Sequence, residues 1–124
     1  MKVYLAAMYS LMTSMQFYHA RLRNVGHEPT SRWVDGDEED MSQAEAAAMD
    51  LIDVERADVL ILFTNQKGTM FKGGGRFVEL GYAIAIDKRI IVVGDYENVF
   101  IHLPGIERVD TFTQALRLLK DEEN

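Results

Sequence analysis

Asp58-Val59-Leu60-Ile61-Leu62-Phe63-Thr64, then Gly73-Gly74-Gly75-Arg76-Phe77-Val78-Glu79-Leu80-Gly81-Tyr82-Ala83, then Arg89-Ile90-Ile91-Val92-Val93-Gly94, are the stretches that decide the fold. The outer two are short apolar runs rich in β-branched residues, the pattern of strands buried on both faces. The middle one opens on glycines and continues into the helical Ala83-Ile84-Ala85-Ile86. Strand, glycine-rich loop, helix, strand is a βαβ unit. Ligands of open α/β sheets bind beyond the carboxyl ends of the strands, where such a loop lies. Glu79, the lone acid in that apolar helix, therefore points toward a candidate site, since a buried carboxylate is costly without a partner or a task.

Working outward, Val3 to Ala7 reads as a first strand. Leu11, Met15, Tyr18 and Leu22 recur at helical spacing, predicting a helix over 11–23 with Gly26 in its C-terminal cap region. Met8, Met12 and Met15 read as core filling. Ser31-Arg32-Trp33-Val34 reads as a second, short strand. Ser42-Gln43-Ala44-Glu45 has the capping-box pattern, so a helix is expected from there to Arg56. It carries Asp50 inward and Asp53 toward solvent. Pro104-Gly105 marks a turn, Ile106 to Val109 an edge strand, and Thr111 the cap of a terminal helix. The alternation predicts a flavodoxin-like or related doubly wound parallel sheet of four or five strands with helices on both faces, in a single domain over residues 1–124.

Thirteen basic against twenty acidic residues give a net charge of −7, which disfavours a polymeric nucleic-acid surface. No apolar run reaches the roughly 20 residues of a membrane helix. The first residues run straight into a strand with no leader pattern, and there is no cysteine, so a cytoplasmic protein without thiolate metal sites is expected. His19, His27 and His102 match no metal spacing. Asp35-Gly36-Asp37-Glu38-Glu39-Asp40 lacks the ligand pattern of a calcium loop and reads as a solvated loop. Against this acidic background Lys67, Lys72 and Arg76 cluster in the glycine-rich region. Gly73, Gly74 and Gly75 form either an anion-binding nest at a helix N-terminus or a lid that needs glycine only for its turns. Tyr4 either packs or donates its hydroxyl to a carboxylate. No serine sits in a nucleophile elbow.

Lys2-Val3-Tyr4-Leu5-Ala6-Ala7, Asp50 ahead of Ala57-Asp58-Val59-Leu60-Ile61, Glu79-Leu80-Gly81-Tyr82-Ala83 and Glu97-Asn98-Val99-Phe100 together resemble the nucleoside 2-deoxyribosyltransferase family, which includes the 2-deoxynucleoside 5-phosphate N-hydrolases. The resemblance implies Glu79 as nucleophile, Asp50 as acid/base, and Tyr4 as the residue that orients the nucleophile. It further implies that Asn98 and Phe100 complete a neighbouring subunit's site, in a homo-oligomer with shared active sites. Gly74, Gly75 and Arg76 are added as substrate contacts. The chemistry implied is cleavage or transfer at the N-glycosidic bond of a deoxynucleoside or deoxynucleotide, with no cofactor and no metal. The family's hydrolases carry a Gly/Arg-rich stretch after the first strand. Here Met8-Tyr9-Ser10-Leu11-Met12 stands in its place, which leaves nucleoside and 5′-monophosphate as alternatives. A non-catalytic nucleotide sensor, built on the glycine nest and the positive loop, is the competing expectation.

Overall fold

The computed structural model describes residues 1–64 and 74–123, and in the last helix side chains only up to residue 120. Five parallel strands form one sheet in the order β2-β1-β3-β4-β5, with β1 at Lys2–Ala6, β2 at Glu28–Pro29, β3 at Val59–Phe63, β4 at Arg89–Val93 and β5 at Glu107–Val109. Helices α1 (Met12–Asn24), α2 (Gln43–Arg56), α3 (Gly75–Ala85) and α4 (Phe112–Glu123) connect or follow them. The doubly wound parallel sheet expected from the sequence is the observed architecture.

Every residue of β3 is buried, which its unbroken Val-Leu-Ile-Leu-Phe run requires. Tyr4 of β1 stands opposite Leu60, and Leu60 opposite Ile90, giving one transverse row through the centre of the sheet. Alternation along the strands then divides the core. Phe63 meets Tyr18 of α1 and Phe112 of α4, with centroids 5.4 and 6.0 Å away, so α1 and α4 share one face. Tyr4 reaches α3 on the other face, where α2 lies beside α3. Ser42 closes both halves of the capping box with Glu45, fixing the start of α2. Thr111 Oγ1 accepts from the Gln114 N–H at the start of α4.

Two expectations fail. Ser31 to Val34 is not a strand: Arg32–Asp35 is a 3-10 turn that ends on Gly36, whose φ of +85° suits glycine. The pairing edge is instead the two-residue β2, with Pro29 on the outermost strand, where a missing N–H is tolerated. Trp33 is drawn inward, donating its indole N–H to the Leu5 carbonyl at 2.9 Å. Asp53 does not face solvent. It is fully buried and holds Arg32 through the guanidinium, Nη2 to Oδ1 at 2.7 Å and Nε to Oδ1 at 2.9 Å, and through the backbone N–H, which donates to Oδ2 at 3.1 Å. This pair fastens the 3-10 turn to α2.

No helix among the described residues is long and apolar enough to cross a membrane. The strand order reverses direction between β1 and β3. At such a switch point the loops leaving the two strands diverge and open a crevice.

Candidate active site

A cavity of about 170 Å³ occupies the α2/α3 side of that crevice. Ala7 and Tyr9, just past β1, form one edge, and Gly75 and Arg76 at the start of α3 form another. Trp33, Glu38, Asp50 and Glu79 complete the wall.

Glu79 is 9% exposed and accepts a 2.6 Å hydrogen bond from the Tyr4 hydroxyl on Oε2. Of the two readings of Tyr4, packing and donation, the structure has both: the ring is fully buried and the hydroxyl is spent on Glu79. Burial first, then the Glu79 and Asp50 carboxylates, hold the phenol well above its ordinary range, so it remains a donor. Burial pushes Glu79 up to about 7; the Tyr4 hydrogen bond pulls it back, and the charge of Glu38 adds to the rise. Asp50 goes further, to about 9, through burial, a hydrogen bond with the Glu38 carboxyl, and the charges of Glu79, Glu38 and Asp53. Near pH 8 Glu79 is therefore mostly ionised while Asp50 mostly keeps its proton. Environments that push two carboxyls apart in this way create an acid and a nucleophile or base from like residues.

The aromatic wall is a second feature. Trp33 is nearly buried, while Tyr9 stands 58% exposed beside it, with ring centroids 6.2 Å apart and planes inclined by 35°. The exposed Tyr9 ring, backed by Trp33, suits stacking of a planar ring.

Arg76 also lines the cavity, with its side chain buried. Its guanidinium meets both carboxylate oxygens of Glu97, at 3.0 and 3.1 Å, and lies 4.3 Å from the Phe77 ring centroid. Its charge is thus matched within the chain. Gly74 and Gly75 begin α3, and among the described residues a Cβ at either position would meet nothing within 4 Å. Lys67, Lys72 and Gly73 lie outside the described residues.

Asn98 and Phe100 are not in this cavity. Asn98 caps the 3-10 turn Val99–His102, its Oδ1 accepting the Phe100 N–H at 2.9 Å. Both residues line a separate apolar hollow of about 500 Å³ with Phe77, Leu80, Gly81 and Ile84 of α3. Glu97 belongs to that hollow and Arg76 to the smaller cavity, so their ion pair joins the two walls.

Three cavity residues were not singled out from the sequence. Trp33 was read as a strand residue, Tyr9 carried no pattern, and Glu38 was hidden in an acidic block. Of Asp35–Asp40, only Glu38 and Gly36 are partly buried; the others are exposed. Ser31, His19 and Asp35 also come together, with Ser31 Oγ 2.7 Å from Nε2 and Asp35 Oδ1 3.5 Å from Nδ1. Ser31 is 1% exposed and its Oγ also receives the Leu5 N–H, so this trio tethers the Trp33 turn to β1 and α1. Among the described residues no group of three or more His, Asp or Glu side chains is arranged to hold a metal ion.

No protein-family model matches the chain, and no curated protein matches it by sequence. Among solved structures it is similar to the Clostridium botulinum CMP N-glycosidase BcmB. The TM-score is 0.69 at 19% identity, over 97% of this chain and 98% of that one. At that identity the likeness establishes a shared fold along the whole length.

Proposed function

We propose that the cavity cleaves the N-glycosidic bond of a nucleoside or nucleoside 5′-monophosphate, with Glu79 as nucleophile and Asp50 as acid/base. The carrying observation is the meeting of the two carboxyls in one cavity, Glu79 held by Tyr4 and pushed to about 7, Asp50 to about 9. The N-glycosidase activity of the structurally similar CMP N-glycosidase supports the same bond as target. The family resemblance of the sequence supports a 2-deoxyribose substrate.

The chemistry follows from the charges. Breaking the bond between C1′ and the base nitrogen leaves positive charge at C1′. The ionised Glu79 stabilises it and closes on C1′ to form a glycosyl ester, as in retaining glycosidases. The electron pair of the broken bond leaves with the base, which takes the proton of Asp50. Asp50, now ionised, removes a proton from water or from an incoming base; that nucleophile attacks C1′ and releases Glu79. Hydrolysis and transfer differ only in this acceptor. Tyr4 keeps one Glu79 oxygen fixed, leaving the other for C1′, and the Tyr9–Trp33 wall stacks the base. The N-terminus of α3 at Gly74 and Gly75, next to Arg76, is the proposed seat of a 5′-phosphate when one is present.

Asn98 and Phe100 act in this reading through a second copy of the chain. Phe100 is 60% exposed, Val99 74% and Val78 65%, an apolar surface around the α3 hollow that a neighbouring subunit would cover.

The test is incubation of the protein with each deoxynucleoside, each deoxynucleoside 5′-monophosphate and CMP, with and without added free bases, followed by chromatography. Base release or exchange supports the reading. Binding without turnover of any of them would favour a sensor instead.

A further inference from the structure

Glu38 has no part in the scheme above, yet its carboxyl lines the same cavity as Asp50 and Glu79. Two buried oxygens there, Glu38 Oε1 and Asp50 Oδ1, receive no donor from the described residues. Both carboxyls line the one small cavity, and after burial the Glu38 carboxyl contributes most to holding the proton on Asp50. Two carboxylates cannot bond to one another without a proton between them, and two such charges in one small cavity repel. One proton shared between the two carboxyls removes the repulsion.

We propose that Glu38 is a positioning residue that holds a proton on Asp50, so that the two carboxyls work as one acid with a single transferable proton. The reading rests on the N-glycosidic function proposed above and specifies how its acid is kept loaded. When the bond between C1′ and the base breaks, the shared proton passes to the base with the departing electron pair, leaving the pair of carboxyls doubly ionised. That repulsion drives recapture of a proton from the acceptor water or base, which attacks C1′ as Glu79 leaves. The pair then carries one proton again and the cycle closes.

Among the described residues, the other charges around Asp50 leave this role to Glu38. From α3, Glu79 faces it across the cavity and Arg76 is matched by Glu97. From α2 itself, Asp53 is bound to Arg32 of the 3-10 turn. From β1, Tyr4 donates to Glu79 and not to Asp50. Asp37 neighbours Arg32. No cation among these groups bonds to the Asp50 carboxyl.

Glu38→Gln keeps the shape and replaces the shared proton with an amide that donates to ionised Asp50. Its effect is read in two ways on the full chain. Carboxyl carbon-13 NMR of the substrate-free protein follows the Asp50 titration directly, and the pH profile of kcat/KM for base release follows its alkaline limb. Both midpoints are expected to fall by about 1–3 pH units in Glu38→Gln, with an unchanged melting temperature. Glu38→Asp, which keeps a carboxyl, is expected to restore part of the shift. An Asp50 titration that coincides in wild type and Glu38→Gln overturns the proposal. Absence of base release from every nucleoside and nucleotide instead counts against the N-glycosidic reading, and the NMR titration still decides whether the proton is shared.

Discussion

Replacing Tyr4 by Phe removes a single oxygen, and that oxygen lies 2.6 Å from Glu79 Oε2. The ring sits in the packed centre of the sheet and Phe fills the same space, so the change isolates the hydrogen bond. A hydrogen bond to a charged group contributes about 1.5–3 kcal/mol, which corresponds to roughly 1–2 pH units on the carboxyl. The Tyr4 bond lowers the Glu79 value, so its loss moves the carboxyl upward from about 7. At neutral pH the ionised fraction then drops from about half to about 1–10%. Base release at pH 7 is expected to fall by roughly 5- to 50-fold, with the acid limb of kcat/KM displaced upward by about 1–2 units and much of the rate restored near pH 9. Carbon-13 titration of Glu79 without substrate measures the same displacement. An acid limb and a Glu79 titration that stay in place in Tyr4→Phe would refute the reasoning.

Three further outcomes concern stability. Glu79 titrates above its ordinary value of 4.5 in the fold, so the folded state binds the proton more tightly and stability falls as pH rises from about 4.5 to about 7. Glu79→Gln is therefore expected to be more stable than wild type at pH 8, by about 3 kcal/mol at most, and nearly equal to it at pH 4, as read from urea midpoints. Arg32→Ala leaves buried Asp53 with only the Arg32 backbone N–H among its Arg32 contacts, and should destabilise the fold by about 3 kcal/mol; a melting temperature equal to wild type would deny the pair its fastening role. For His19 the sign is opposite to Glu79: burial lowers its value, with Arg23 acting the same way and Asp35 against it, so the neutral ring is the folded form. Its contribution declines as pH falls below about 6.5, and His19→Gln should flatten that part of the urea-midpoint profile between pH 7 and pH 5.

How far the chain could be read follows from where its information is local. β3 and β4 are continuous β-branched runs, and α2 announces itself by a capping box whose partners are three residues apart. Glu79 stood out because its own helix is otherwise apolar. The misreadings depend on distant partners. Trp33 and Val34 looked like strand residues, but the indole is fixed by the Leu5 carbonyl, and the true β2 is too short to carry a pattern. Asp53 sits near Arg56 and looked exposed, whereas its partner Arg32 is 21 residues away. Glu38 is flanked by Asp37 and Glu39, which are exposed, and no local signal separates it from them. Asn98 and Phe100 came only from the family resemblance, and they line a hollow apart from the Glu79 cavity.

The most direct measurement is the release of free base at pH 8, near the middle of the interval between Glu79 and Asp50, by wild type, Glu79→Ala and Asp50→Asn. Wild type is expected to liberate base from at least one nucleoside or nucleoside 5′-monophosphate, and each variant to lose activity by orders of magnitude while keeping its fold. Base release that persists undiminished in Glu79→Ala, or none from any substrate with wild type, would contradict the account.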